Sequence, residues 1–342
     1  MPPLPVAPPP MPGEAFTSWL ARLAARYDLA PEELAAAVGA PGPIGPLQDH
    51  AVPAALARTL ASATGLAATE IAALGLSTAL PALPTSWLRD QPAWCQACLA
   101  EATSHAGEVH RLALWSVGFF VVCPHHGMPL RTGADFGAWW SGAPCCARPG
   151  ITFAAAHGRQ RASCPSCGAR HEHRAPDEDK PSSAGLGPAT EFQALLLRAA
   201  AGVTATDGWN ASLTPATTLA VAADVCALAA FHAELVPPRS GPPLPAPFRT
   251  AFVRSAPEDA WTSGRVPPHD ALRLLETAAW LLDDAPDQGI GQGQAARQLR
   301  PRFRGLRVLR LSLPVAHLPQ AERLAGQWPA TLRTAFCQVD RD

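Results

Sequence analysis

Lysine is almost missing from this chain: Lys180 is the only one in 342 residues. No G-x-x-x-x-G-K-[ST] stretch exists, so a lysine-bearing phosphate loop is excluded. Charge of either sign is sparse, with 16% charged residues and a formal net charge of -1. No global field therefore draws nucleic acid, membrane or an acidic partner, and any such binding is local. The longest apolar run, Leu112 to Val122, is well short of the ~20 residues that a membrane span needs. The opening "MPPLPVAPPPMPGE" lacks the basic n-region and apolar h-region of a signal peptide. The expectation is a cytoplasmic protein with no membrane attachment.

Catalytic signatures are missing too. There is no H-E-x-x-H and no G-x-S-x-G, and "GIGQG" (Gly289 to Gly293) has no strand before it. The acids Asp283 and Asp284 end a helix without partners. A zinc deaminase needs H-x-E ahead of P-C-x-x-C, but the only histidine before Cys95 is His50, in "HAV". Nothing argues for an enzyme, and no catalytic residue is assigned.

What the chain has is proline, alanine and cysteine. The 38 prolines and the arginine-for-lysine usage fit a GC-rich genome, so arginine as such carries no design meaning. Residues 1–12 form a Pro-rich leader, extended and free unless a surface captures it. "GEAFTSWLARLAARYDLAPEELAAAVG" reads as two short helices, with Thr17 or Ser18 capping the first and Pro31 in the first turn of the second. A second pair follows, from about Pro53 to Thr64 and from Thr69 to near Gly75, with Gly65 turning the chain. Both pairs have helix-turn-helix spacing. "RAPDEDKPSSAGLGPAT" is a linker. Beyond it the pattern predicts helices over Glu191 to Ala201, Thr214 to Leu235, His269 to Leu282 and Pro319 to Phe336.

Seven of the nine cysteines fall between Cys95 and Cys167, and in a cytosolic chain such density points to metal rather than disulfides. Cys226 and Cys337 lie in apolar helical surroundings and are expected to be buried. "WCQAC" sets Cys95 and Cys98 at C-x2-C spacing, and "CPHHG" sets Cys123 and His126 at C-x2-H. Two such knuckles satisfy a tetrahedral structural zinc, and spacing prefers His126 over His125. A redox C-x-x-C would leave Cys123 and His126 unexplained. The apolar stretch from Arg111 to Val122 is expected to be a strand that delivers the second ligand pair. A second zinc is expected from Cys164 and Cys167 with Cys145 or Cys146, and His157, His171 or His173 as alternatives for completing it.

The candidate reading helices "AATEIAALGL" and "PEELAAAVG" carry no Arg, Lys, Asn or Gln for base edges. Positive charge concentrates at Arg297, Arg300, Arg302, Arg304, Arg307 and Arg310, and around the later cysteines at Arg159, Arg161, Arg170 and Arg174. These clusters suit phosphate contact without sequence reading.

In order, "PGEAFTSWLARLA", "LARTLASATGL", "EIAALGL", "WCQACLAE", "HRLALWSVGFFVVCPHHGMPL" and "CPSCG" resemble the TniQ/TnsD family of transposition target-selection adaptors from bacterial mobile elements. The resemblance covers roughly residues 3 to 175. It implies a mainly α fold with small β elements: a helix-turn-helix domain over residues 13–80, tandem zinc ribbons over 81–175, a linker over 176–190 and a helical domain over 191–342. It also implies a non-catalytic adaptor between target recognition, by DNA or an RNA-guided CRISPR complex, and an AAA+ ATPase that recruits the transposase. A homodimer is compatible with it. Carried across, the family's first zinc ligands fall on Cys95, Cys98, Cys123 and His126, whereas "APCCARPG" departs from the family's regular C-x2-C. The competing reading is a stand-alone zinc-ribbon transcription regulator, which requires a preferred operator and dimeric half-sites.

Overall fold

A computed structural model describes residues 3–40, 44–89, 93–95, 97–98, 101, 110–131, 161–163, 170–172, 187–206, 208–211, 213–235, 268–282, 306, 309–310, 313 and 318–337. The protein is mainly helical. It divides into two units, Met1–Ser183 with Ser263–His269, and Ala184–Thr262 with Asp270–Asp342. Among the described residues no helix is long and apolar enough to cross a membrane.

The first unit opens with α1 (Phe16–Ala25), α2 (Pro31–Ala37), α3 (Pro46–His50), α4 (Ala54–Thr64), α5 (Ala68–Ala72) and α6 (Leu76–Ala79). The two expected helix pairs are α1–α2 and α4–α5, and the short α3 and α6 lie between and after them. Phe16, Trp19, Leu20 and Leu23 of α1 share a buried core with Leu34, Leu56, Leu60 and Ile71. Burying side chains of this size stabilises by about 1.5–3 kcal/mol each. Gly65 ends α4 in the left-handed region at φ 75°, a conformation that costs a residue with a Cβ.

Helix α1 is capped from a distance. Its N-terminal flank is Ala15, which has no side-chain cap, and neither Thr17 nor Ser18 plays that part. The Thr17 N–H instead donates to Asp49 Oδ1 of α3 at 2.8 Å, and its hydroxyl donates to Asp49 Oδ2 at 2.9 Å. Arg111 reaches the same carboxylate at 2.5 Å and Ser116 Oγ at 2.7 Å. Local sequence suggested a local cap, but a side chain of α3 accepts both the Thr17 N–H and its hydroxyl and satisfies the helix end instead.

The leader is captured. Trp19 Nε1 donates to the Pro8 carbonyl at 3.0 Å, Arg22 Nη2 to that of Pro9 at 2.9 Å and Tyr27 Oη to that of Val6 at 2.5 Å. A polyproline backbone makes no internal hydrogen bonds, so its carbonyls are open to such donors. Residues 13–15 also pair with 111–113: Ala15 N donates to Arg111 O, Ala113 N donates to Gly13 O, and Glu14 bridges Leu112.

The expected strand from Arg111 to Val122 is interrupted. A 3-10 turn occupies Ala113–Ser116, because Ser116 serves two partners at once: its carbonyl accepts from Arg89 N and its hydroxyl from Arg111. Trp115 within the turn, and Val117 and Phe119 to Val122 beyond it, are buried. The described strands are β1 (Arg161–Ser163) and β2 (Arg170–Glu172), antiparallel with Ala162 opposite His171.

The second unit contains α7 (Gly187–Ala200), α8 (Pro215–Leu235), α9 (Pro268–Leu282), α10 (Leu318–Ala325) and α11 (Ala330–Cys337). The single helix expected over Pro319 to Phe336 is two, because Pro329 has no N–H to continue the ladder and disfavours helical geometry at Trp328. Trp328 uses the break to donate from Nε1 to Asp224 Oδ2 of α8 at 2.9 Å and to meet Phe336 edge-on. Cys226 is buried as expected, but Cys337 is exposed at the end of α11. Its neighbours Ala335 and Phe336 hold the buried face, and the next position along a helix points away from it.

Burial pushes the Asp224 carboxyl up, against the opposing pull of the Trp328 hydrogen bond. A group raised in the folded state contributes stability that is present at low pH and lost as pH rises through its folded value. Asp224→Asn, neutral throughout and still able to accept from Trp328, is expected to melt at or slightly above wild type at neutral pH. The gap should close toward about pH 4 in thermal melts; a clear fall in Tm at neutral pH would contradict it.

Candidate metal centre

Two turns carry the site. Trp94 bridges Arg131 and its carbonyl accepts from the Arg131 N–H at 2.9 Å, which holds the stretch before Cys95 beside the end of the second knuckle. In the second knuckle, Val122 bridges Pro129, Cys123 N donates to Met128 O, and Gly127 N donates back to Cys123 O at 2.8 Å. Gly127 takes φ 60° to close this turn, which explains a glycine after the two histidines.

The ligand atoms of Cys95, Cys98, Cys123 and His126 all lie within 4.8 Å of one another. His126 Nδ1 is 3.6 Å from Cys95 Sγ, 3.3 Å from Cys98 Sγ and 3.6 Å from Cys123 Sγ, and Cys98 Sγ is 3.6 Å from Cys123 Sγ. A tetrahedral zinc with ordinary Zn–S and Zn–N bonds sets N···S edges of about 3.6 Å and S···S edges of about 3.8 Å. The cluster therefore has the size and donor set of a four-coordinate zinc site. The sulfurs are far beyond disulfide bonding distance, and all three cysteines are free thiols.

Electrostatics point the same way. Hydrogen bonds from the Cys95 and Cys98 thiols hold Cys123 far below the ordinary thiol range, despite burial. The bond to Cys123 in turn pushes Cys95 up to about 11 and Cys98 higher still. One negative charge is welcome here and three are not, and a divalent cation removes that conflict. Burial lowers the His126 imidazole, but the hydrogen bond to Glu101 and the contact with Cys123 outweigh it and leave its value raised.

His126 rather than His125 joins the cluster, as the spacing predicts. Glu101 touches it and was not singled out by sequence: Glu101 Oε1 lies 2.9 Å from His126 Nε2. In the same segment of chain, Trp87 meets Phe119 edge-on at 5.4 Å.

Of the second set, Cys145, Cys146, Cys164, Cys167, His157 and His173 lie outside the described residues, and His171 is on β2. Among the arginines Arg297, Arg300, Arg302, Arg304 and Arg307 also lie outside them. Arg310 is described: it pairs with Glu322 at 2.7 Å and stacks over the Phe336 ring at 5.7 Å.

No curated protein and no solved structure matches the chain. The TniQ family model matches residues 5–130, a stretch that begins in the leader and ends four residues past His126. Over this stretch the chain carries a TniQ domain, which indicates a transposition-associated adaptor in general.

Proposed function

We propose that this protein is a non-catalytic, zinc-binding adaptor that links target-site recognition to an AAA+ ATPase and a transposase. The observation that carries the reading is the family match over residues 5–130, which contains both the helical core and all four atoms of the candidate metal centre. The centre has three thiolates and one imidazole. A fourth protein ligand closes the coordination shell, which suits structural zinc rather than a catalytic ion with an open position.

In this reading residues 13–80 form a helix-turn-helix-type module, 81–175 carry tandem zinc ribbons, 176–190 link, and 191–342 form a helical domain. Cys145, Cys146, Cys164 and Cys167, with His171 or His173, supply a second zinc. Phosphate contacts come from Arg297, Arg300, Arg302, Arg304 and Arg307, since Arg310 is already held by Glu322 and Phe336. The target component is DNA or an RNA-guided CRISPR complex, the assembly includes a homodimer, and the setting is bacterial cytoplasm.

The test is affinity capture of the tagged full-length chain from its native host, with partners identified by mass spectrometry. Recovery of an AAA+ ATPase or a transposase is expected, and CRISPR subunits alongside would identify RNA-guided targeting. RNA polymerase, or one promoter DNA without an ATPase, would replace the adaptor with a transcription regulator.

A further inference from the structure

The His126 ring is held at both nitrogens. Nδ1 faces the three sulfurs at 3.3–3.6 Å, and Nε2 lies 2.9 Å from Glu101 Oε1. An imidazole can ligate through Nδ1 only if that nitrogen presents its lone pair, so the proton belongs on Nε2, where the Glu101 carboxylate accepts it. The three cysteines and His126 form the cluster on their own; Glu101 lies outside it and reaches its histidine.

Exposure decides what such a carboxylate can do. The His126 side chain is 17% exposed and that of Glu101 63%. Zinc with three thiolates carries a formal charge of -1, and a further buried carboxylate beside it would be costly. A solvated one avoids most of that repulsion while its hydrogen bond still fixes the plane of the ring. Histidine is also the ligand most in need of fixing. The sulfurs of Cys95 and Cys123 are carried by buried residues, whereas the imidazole turns about Cβ–Cγ and can swing Nδ1 away from the metal.

We propose that Glu101 is a positioning residue of the metal centre, holding the His126 imidazole with Nδ1 toward the ion and slowing its exchange with solvent. The inference rests on reading the four-residue cluster as a zinc site. Its effect falls on metal retention: groups that orient a ligating histidine typically change metal affinity by 10- to 100-fold, and the exposure of Glu101 places it at about the lower end.

The experiment titrates zinc-loaded, full-length wild type, Glu101→Ala and Glu101→Gln with a colorimetric zinc chelator. Circular dichroism of each zinc-saturated protein serves as the control for folding. Glu101→Ala is expected to give up zinc at roughly tenfold lower chelator concentration with an unchanged spectrum. Glu101→Gln, whose amide oxygen still accepts from Nε2–H, is expected to stay close to wild type. Zinc retention by Glu101→Ala within about twofold of wild type, or a Gln variant that falls as far as Ala, would overturn the positioning role. A wild-type protein that holds no zinc would instead overturn the metal reading beneath it.

Discussion

Cys123→Ser is expected to abolish metal binding at the candidate centre and to melt the segment around it. Serine has no accessible anionic form near neutral pH, so the variant loses one ligand of four and the thiolate on which the other two thiols converge. The magnitude follows from what else holds this segment. Between Thr85 and Arg131 the described backbone includes two 3-10 turns and the isolated bridges Leu88–Val117, Trp94–Arg131 and Val122–Pro129, with Leu112 bridged to Glu14, far fewer ladder bonds than a sheet would give. Its apolar side chains are buried, Trp87, Trp94, Trp115, Phe119 and Phe120 among them, but a core this small is marginal without a cross-link. Structural zinc contributes about 10–16 kcal/mol of apparent binding free energy in small finger domains, while whole domains are stable by about 5–15 kcal/mol. Losing it is therefore comparable to the stability of the unit. Elemental analysis should show one zinc fewer per chain, and near-ultraviolet circular dichroism should lose the signal of these tryptophans. Chelation of the wild type should do the same, more readily at lower pH because protons compete for the thiolates. Unchanged zinc content and an unchanged tryptophan signal in Cys123→Ser would rule out the centre.

The clustering of Cys95, Cys98, Cys123 and His126 was legible because such residues are read by spacing alone. C-x2-C and C-x2-H are local patterns, and two of them specify a tetrahedron wherever the intervening chain goes. The helix pairs were legible for a related reason, since Trp19, Leu20 and Leu23 recur with helical period and Gly65 marks a stop. What sequence did not reveal depends on residues far apart. Asp49 caps α1 from 32 residues beyond Thr17, and no local signal distinguishes it from any other acid in a short helix. Glu101 follows Cys98 by three residues, but its partner His126 is 25 residues away. The 3-10 turn at Ala113–Ser116 breaks an apolar run that has no polar alternation to warn of it. Its cause is Arg89 and Arg111, which each need an acceptor on Ser116. The break at Pro329 has a local signal, since a proline inside a helical pattern ends the helix before it.

Glu14→Ala is expected to destabilise the first unit by about 3–5 kcal/mol, the usual cost of leaving one partner of a buried ion pair alone. Both side chains are shut away from solvent, 2% exposed for Arg22 and 0% for Glu14. Glu14 Oε1 accepts from Arg22 Nε at 2.8 Å and Ser18 Oγ at 2.9 Å, and Oε2 accepts from Arg22 Nη2 at 2.8 Å and the Met11 N–H at 3.0 Å. The alanine variant removes all four bonds and leaves a buried guanidinium without its carboxylate. Against a total of about 5–15 kcal/mol, a loss of this size lowers the denaturant midpoint substantially. A surface pair, by contrast, is worth about 0–1 kcal/mol. The double variant Glu14→Leu with Arg22→Met separates two roles for the pair. Replacing a buried ion pair by apolar residues of similar volume is often neutral or stabilising, so the double variant should recover most of the lost stability. It should not recover the leader, because Arg22 Nη2 also holds the Pro9 carbonyl and Glu14 holds Met11. Limited proteolysis then cuts the double variant within residues 3–12 while its folded core resists, and wild type resists throughout. Equal stability of Glu14→Ala and wild type in chemical denaturation would refute the ion pair's part in the fold. A leader protected in the double variant would mean that Trp19 and Tyr27, the other donors to its carbonyls, hold it by themselves.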